Sequence, residues 1–235
     1  MIYGLIIAAG KQTRFDSKKP KALVEYKGKP LLDHNIDNLS RFCNVVYVVC
    51  SRENSIWFNN YNKIVIDSGL GCGDAVWKAL NCLKPFGLTD YAFIQWGDCF
   101  VDPDVYRCCI EESKSATDAV IIPCQWEVNP YVCFEQSSNL VNVKFSKYEE
   151  TPNEGFHDLS LFYAPAFKLH DSLSQFQSEY YEDGFYNFPN HGNEFQFLDI
   201  FNCTLTSAKI VDLTDKHLHN FSFNTLDEYR LQVDK

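Results

Sequence analysis

The 235-residue chain has no apolar run approaching the ~20 residues that cross a bilayer, so a helical membrane span is excluded. Lys11 breaks the first apolar stretch too early for a secretory leader, and the expected location is cytoplasmic. Positive charge is scarce: the formal net charge is −10, which argues against a nucleic-acid surface. That balance still permits a nucleotide ligand, because a divalent ion and a few local cations neutralise a triphosphate. The six histidines form no H-x-E or H-E-x-x-H arrangement, and the ten cysteines form no C-x-x-C pairs, which argues against zinc. Cys50, Cys124 and Cys133 lie in strand-like apolar runs, where free thiols pack as small hydrophobes, so a reducing compartment fits better than a disulfide scaffold. Internal repeats and low-complexity linkers are lacking as well, and the length suits a single sizeable core.

What is present is alternation. Strand-like runs at 3–8, 45–50, 63–67, 91–96 and 119–124 are interleaved with helix-like segments at 31–42, 73–83 and 103–114. Such alternation predicts right-handed βαβ units: an α/β fold, a Rossmann-like three-layer αβα sandwich around a mixed, mostly parallel sheet. The second half is less regular, with strands expected near 131–136, 141–147 and 159–164, helices at 167–180 and from about Glu194, and strands and a last helix closing the chain. One domain over residues 1–235 is the simplest organisation, with a nucleotide-binding half at about 1–125 and an acceptor-binding half at about 126–235.

Most chemical information sits in the first 21 residues. The strand Tyr3-Gly4-Leu5-Ile6-Ile7 runs into Ala8-Ala9-Gly10-Lys11-Gln12-Thr13-Arg14, and Lys19-Pro20-Lys21 follows. Small residues let backbone N–H groups approach a ligand, and Arg14, Lys19 and Lys21 add cations to the same loop, a combination that suits a polyphosphate. A second glycine-rich run, Ser68-Gly69-Leu70-Gly71-Cys72-Gly73-Asp74, joins the third strand to a helix. In Ile94-Gln95-Trp96-Gly97-Asp98 a carboxylate ends an apolar strand, at the edge where α/β proteins bind ligands. Plainer readings stand beside these: a Gly-rich turn, a solvated basic face, a helix-capping Asp98. Asp102, directly before Pro103, is the better cap.

The pattern resembles the A-A-G-x-G-T-R…P-K loop of GT-A-like nucleotidyltransferases, a group that includes sugar-phosphate, small-alcohol-phosphate and MobA-like NTP transferases, with Gln12 standing where many members have glycine. That resemblance implies Mg²⁺-dependent transfer of CMP or UMP from CTP or UTP to a phosphorylated small-molecule acceptor with release of pyrophosphate, in sugar-nucleotide or surface-polysaccharide biosynthesis. Arg14 and Lys21 would be catalytic. Ala8, Ala9, Gly10, Lys11, Thr13, Ser68, Gly69, Gly71, Gly73 and Asp74 would bind the nucleotide. Asp98 would hold the metal, completed by Asn224 in the Phe221–Asp227 segment, which also reads as a helix cap. Glu150, Asp158 and Glu194 are the acceptor-binding candidates, each equally readable as a solvated carboxylate. Gly69 stands where uridylyltransferases carry a uracil-reading glutamine, which tilts the donor toward CTP. A homodimer is allowed for; no membrane or nucleic-acid partner is expected. The rivals are a metal-dependent glycosyltransferase, which shares the fold but does not need the Arg14/Lys21 loop, and a non-catalytic nucleotide-sensing module.

Overall fold

The computed structural model describes residues 1–10, 19–67, 70–188, 193–223 and 225–233. In chain order the elements are β1 (Ile2–Ile7), a 3₁₀ turn (Lys21–Leu23), β2 (Glu25–Tyr26), β3 (Lys29–Pro30), α1 (Leu31–Leu39), β4 (Val45–Ser51), β5 (Lys63–Ile66), α2 (Cys72–Leu83), β6 (Tyr91–Trp96), β7 (Cys99–Phe100) and α3 (Pro103–Ser113). Then come β8 (Val120–Val128), β9 (Val132–Ser137), β10 (Leu140–Phe145), β11 (Glu154–Asp158), β12 (Leu161–Pro165), α4 (Ala166–Tyr180), β13 (Tyr181–Glu182), β14 (Phe185–Tyr186), α5 (Asp199–Cys203), β15 (Ala208–Asp212), β16 (Phe221–Ser222) and α6 (Leu226–Val233).

One mixed sheet takes the order β10-β9-β11-β8-β12-β6-β1-β4-β5, with β15 pairing in parallel with β8. Strands β6, β1, β4 and β5 are mutually parallel, whereas β12 runs antiparallel to β6 and the sheet continues antiparallel through β11, β9 and β10. The two-residue period of β1 assigns its side chains to opposite layers. Leu5 and Ile7 pack with Ala75, Val76 and Leu80 of α2 and Leu173 of α4, while Ile6 packs with Leu39 of α1 and Val105 and Tyr106 of α3. The resulting αβα sandwich is the architecture expected from the alternating pattern. Because both faces are covered, the central strands need apolar residues at every position, which is why β1 reads as a continuous run.

The structure departs from expectation in several places. The helix foreseen from Glu194 starts only at Asp199; residues before it stay out of the helix, where Phe195 N donates to Leu70 O (2.7 Å) and Gly73 N donates to Phe195 O (2.9 Å). Helix α1 stops at Leu39 instead of reaching 42. Strand β11 was not foreseen, since Glu-Gly-Phe-His-Asp lacks an apolar run; it is held by pairing with β8.

Candidate active site

Parallel strands end at a common edge, and β1, β4, β5 and β6 deliver Ala8–Gly10, Ser51-Arg52, Asp67 and Gly97-Asp98 to it. Gly97 N donates to Ile7 O at 3.0 Å, locking the exit of β6 onto that of β1. A Cβ on Gly97 would lie 3.0 Å from Ile7 O and 3.3 Å from the Ala22 Cβ, so a side chain there would push the 3₁₀ turn away. With glycine, that turn seats Lys21, itself buried, so that its Nζ lies 3.4 Å from Asp98 Oδ2. Two residues singled out by sequence, 77 positions apart, thus meet. Lys11, Thr13 and Arg14 lie outside the described residues, as do Ser68, Gly69 and Asn224.

Buried amides hold the Asp98 segment. Asn35 Nδ2 donates to Cys99 O at 2.8 Å and Asn38 Nδ2 to Val101 O at 3.2 Å, both from α1. Gln95, fully buried in β6, accepts from Tyr106 Oη (2.7 Å) through its Oε1. Asp102 caps α3 by accepting from Asp104 N at 2.9 Å, as its position before Pro103 implied, and its own N–H donates to Asn220 Oδ1 at 2.8 Å. Between them lies Cys99, whose thiol is pushed well up by burial and then by the charge of Asp98. Strand β7 pairs with β16 in the register Phe221↔Phe100, which brings the stretch leading to residue 224 alongside the stretch following Asp98. An aromatic cluster of Tyr26, His34, Phe100, His219 and Phe221 backs this ribbon, and Tyr26 Oη lies 2.6 Å from His219 Nε2.

Asp98 is partly exposed and offers hard carboxylate oxygens. Among the described residues no group of three His, Cys, Asp or Glu side chains gathers around a common point. One accessible carboxylate fits Mg²⁺, which prefers one or two carboxylates and takes its other oxygens from water and substrate phosphates.

In the second glycine run, Gly71 and Gly73 make room for another part of the chain. Gly71 has φ +100°, and a Cβ there would lie 2.2 Å from Phe195 O; at Gly73 it would lie 2.7 Å from the Phe195 ring. These glycines admit the chain's own residue 195. Cys72 belongs to the same junction, its Sγ accepting from Phe197 N at 3.3 Å. Asp74 is buried, accepting from Tyr186 Oη at 3.0 Å and pairing with Lys78 Nζ at 2.8 Å, so its carboxylate is turned into the protein.

Beside the β1 exit lies a cleft of about 670 Å³ lined by Ala9, Gly10, Ser51, Arg52, Asn54 and Asp67. Arg52 Nε donates to Asp67 Oδ1 at 2.7 Å, and this partner holds the Asp67 carboxyl below the usual carboxylate range. Ser51, Arg52 and Asn54 escaped the sequence reading; the usable signal was that β4 exits on the same edge as β1.

The acceptor candidates separate. Asp158 closes β11 and accepts from Ser160 N at 2.8 Å; burial pushes its carboxyl up. The turn reaches the β6 exit, where Trp96 N donates to Ser160 O at 3.2 Å. Glu150 sits on an exposed stretch between β10 and β11, and Glu194 is exposed, accepting from Gln196 Nε2 at 3.3 Å. Among the described residues no contact brings either of them to Asp98.

A family described as "MobA-like NTP transferase domain" matches residues 4–146. A 2-C-methyl-D-erythritol 4-phosphate cytidylyltransferase of Bifidobacterium longum is 33% identical over 127 residues, which is 50% of this chain and 43% of that protein. A protein of the same description from Thermosipho africanus is 24% identical across 98% of this chain and 96% of its own length. The chain spans less than half the length of the first curated relatives it matches. Among solved structures, the CTP:phosphocholine cytidylyltransferase LicC of Streptococcus pneumoniae superimposes with a TM-score of 0.69 at 11% identity, covering 99% of this chain and 98% of that one. HddC of Yersinia pseudotuberculosis complexed with GMP-PN gives 0.68 at 18% identity, covering 100% and 99%.

Proposed function

The chain belongs to the MobA-like NTP transferase domain family, and from that premise we propose that it is a nucleotidyltransferase. In this reading it transfers CMP or UMP from the triphosphate to a sugar phosphate or small polyol or alcohol phosphate. The observation that carries the reading is the meeting of Lys21 and Asp98 at the strand edge beside the Ala8–Gly10 exit. An acceptor phosphate is already an anionic nucleophile, so no general base is needed, and catalysis reduces to positioning and charge stabilisation. Lys21, with Arg14, stabilises the α- and β-phosphates and the departing pyrophosphate. Asp98 and Asn224 would hold Mg²⁺, which supplies Lewis-acid stabilisation of phosphate oxygens. The cleft along Gly10, Ser51 and Asp67 supports placing the base and ribose there, with CTP slightly ahead of UTP for want of a glutamine at position 69. Cytoplasmic location, a homodimer and a role in surface-polysaccharide precursors remain part of the same proposal.

Pyrophosphate release with each of the four NTPs, against a panel of sugar and alcohol phosphates, is the test. Release that requires CTP or UTP together with a phosphorylated acceptor supports the reading. Transfer of sugar from a nucleotide sugar, without pyrophosphate release, would establish the glycosyltransferase alternative.

A further inference from the structure

The sheet has two edge strands, β10 and β5, and they are finished differently. At β10 the side chain of Asn202 stands in for a further strand: Val143 N donates to its Oδ1 at 2.8 Å, and its Nδ2 donates to Val143 O at 2.7 Å. Among the described residues no side chain does the same at β5. Val48 N donates to Asn62 O (2.8 Å) and Arg52 N to Ile66 O (3.0 Å), so the even-numbered residues of β5 turn their backbone groups to β4. The alternation along a strand then turns the N–H and C=O of Val65 outward. An open edge of this kind is a template for another strand. We infer that β5 is the contact surface of a homodimer, in which it pairs antiparallel with β5 of a second copy of this chain, about a two-fold axis at Val65.

Apolar surface accompanies the open edge. Val65 is 41% exposed, and the 3₁₀ turn Ser55–Phe58 ahead of β5 leaves Ile56 and Trp57 exposed as well. Lys63 Nζ holds that turn beside β5, donating to Ser55 O at 2.9 Å and to Asn59 Oδ1 at 2.5 Å. Covering these three side chains adds a hydrophobic gain that the backbone bonds of a short strand pair lack.

Charge selects both the occupant and the register. The chain carries a net −10, so two copies repel over most of their surface. Around β5 the balance differs: Arg52, Lys63 and Lys78 stand with Glu53 and Asp67. Setting Val65 against Val65 of the partner subunit places Lys63 opposite Asp67 of the partner subunit, and the two-fold axis makes that pair twice. Moving the axis one residue, to Ile64, sets Lys63 against Val65 of the partner subunit and loses both pairs. Asp67 Oδ1 accepts from Arg52 Nε and Asp67 O accepts from Lys78 Nζ at 2.7 Å, so Oδ2 is the atom left for the incoming ammonium. Arg52 and Asp67 also line the nucleotide cleft, so the seam runs along its lip.

Sedimentation velocity of the full chain without nucleotide, over a series from low micromolar to millimolar protein, is the test, and a monomer–dimer equilibrium is expected. Val65→Pro removes an outward N–H and no bond to β4, so the variant should keep the parent's circular dichroism and thermal melt while dimerising about tenfold more weakly or worse. Lys63→Glu and Asp67→Lys should each weaken the dimer to a similar degree by setting like charges opposite each other, and Lys63→Glu/Asp67→Lys should restore it. If Val65→Pro fails to fold, the charge exchange decides alone. A monomer at every concentration, a dimer unmoved by these substitutions, or a double exchange no tighter than the single ones overturns the inference. The nucleotidyltransferase reading stands or falls separately, since the assay contains no nucleotide.

Discussion

At the residue scale the proposed site rests on the meeting of Lys21 with Asp98. On the proposed mechanism, Lys21→Ala removes a buried cation that would face the charge developing on pyrophosphate. It is expected to lower kcat by about 10² or more, measured as pyrophosphate release under saturating substrates. A near-wild-type kcat would remove Lys21 from the chemistry. Asp98→Asn keeps the shape and the Lys21 neighbour but weakens oxygen donation to a divalent ion, so turnover should be lost and the parent enzyme should stop in EDTA. Activity indifferent to both treatments contradicts the metal assignment. Both residues were legible because a lysine after Pro20 and an aspartate ending an apolar strand are local patterns. Asn35 and Gln95 were not, because an interior amide gives no local sign of the carbonyl it will reach; the Asn35 bond to Cys99 O spans 64 residues.

At the element scale the start of α2 and the segment before α5 form one packed joint. The Phe195 ring stacks on Phe176 with centroids 4.0 Å apart, so it cannot retreat from a Cβ placed at Gly73. Gly73→Ala should destabilise the fold by roughly 1–3 kcal/mol, and Gly71→Ala by more because its backbone is also left-handed. Thermal melts read this directly, and an unchanged Tm for Gly73→Ala would disprove the joint. The hairpin β2–β3 and strand β16 are tied in a comparable way by Tyr26 and His219. Tyr26→Phe should cost about 1 kcal/mol in urea unfolding. It should also lower kcat more than it raises the KM for NTP, since the tie joins the stretch after Lys21 to the stretch before residue 224.

At the scale of the whole molecule, pH reaches the fold through Asp199, which is buried at the start of α5 and whose carboxyl is pushed up to about 7 by desolvation. The hydrogen bond from Gln196 N, at 2.9 Å, opposes that rise. An acid with a raised folded-state pKa holds its proton in the native chain after the unfolded chain has lost it. Stability therefore falls as pH climbs from about 4 to about 7 and levels off above. Asp199→Asn removes the ionisation, so the variant should gain stability relative to the parent at pH 8, on the order of a few kcal/mol, with the gain vanishing near pH 4. Denaturant midpoints at the two pH values decide it, and a pH-independent difference would contradict the buried charge.

Short-range physics settled the parallel half of the fold before any tertiary contact was considered. A strand covered on both faces must be apolar throughout, as β1 is, and a helix opened by Asp102-Pro103 carries its own cap. Lys21 after Pro20 and the aspartate just past β6 were picked out by the same local patterns. Tertiary structure alone decided that Asp74 turns inward, that Gly71 and Gly73 make room for Phe195, and that the helix foreseen at Glu194 gives way to a non-helical joint. Those outcomes depend on contacts such as Cys72 with Phe197, 125 residues apart, whose partners share no periodicity, cap or turn signal. A glycine reads the same in sequence whether the atom that needs its space belongs to a ligand or to the chain itself.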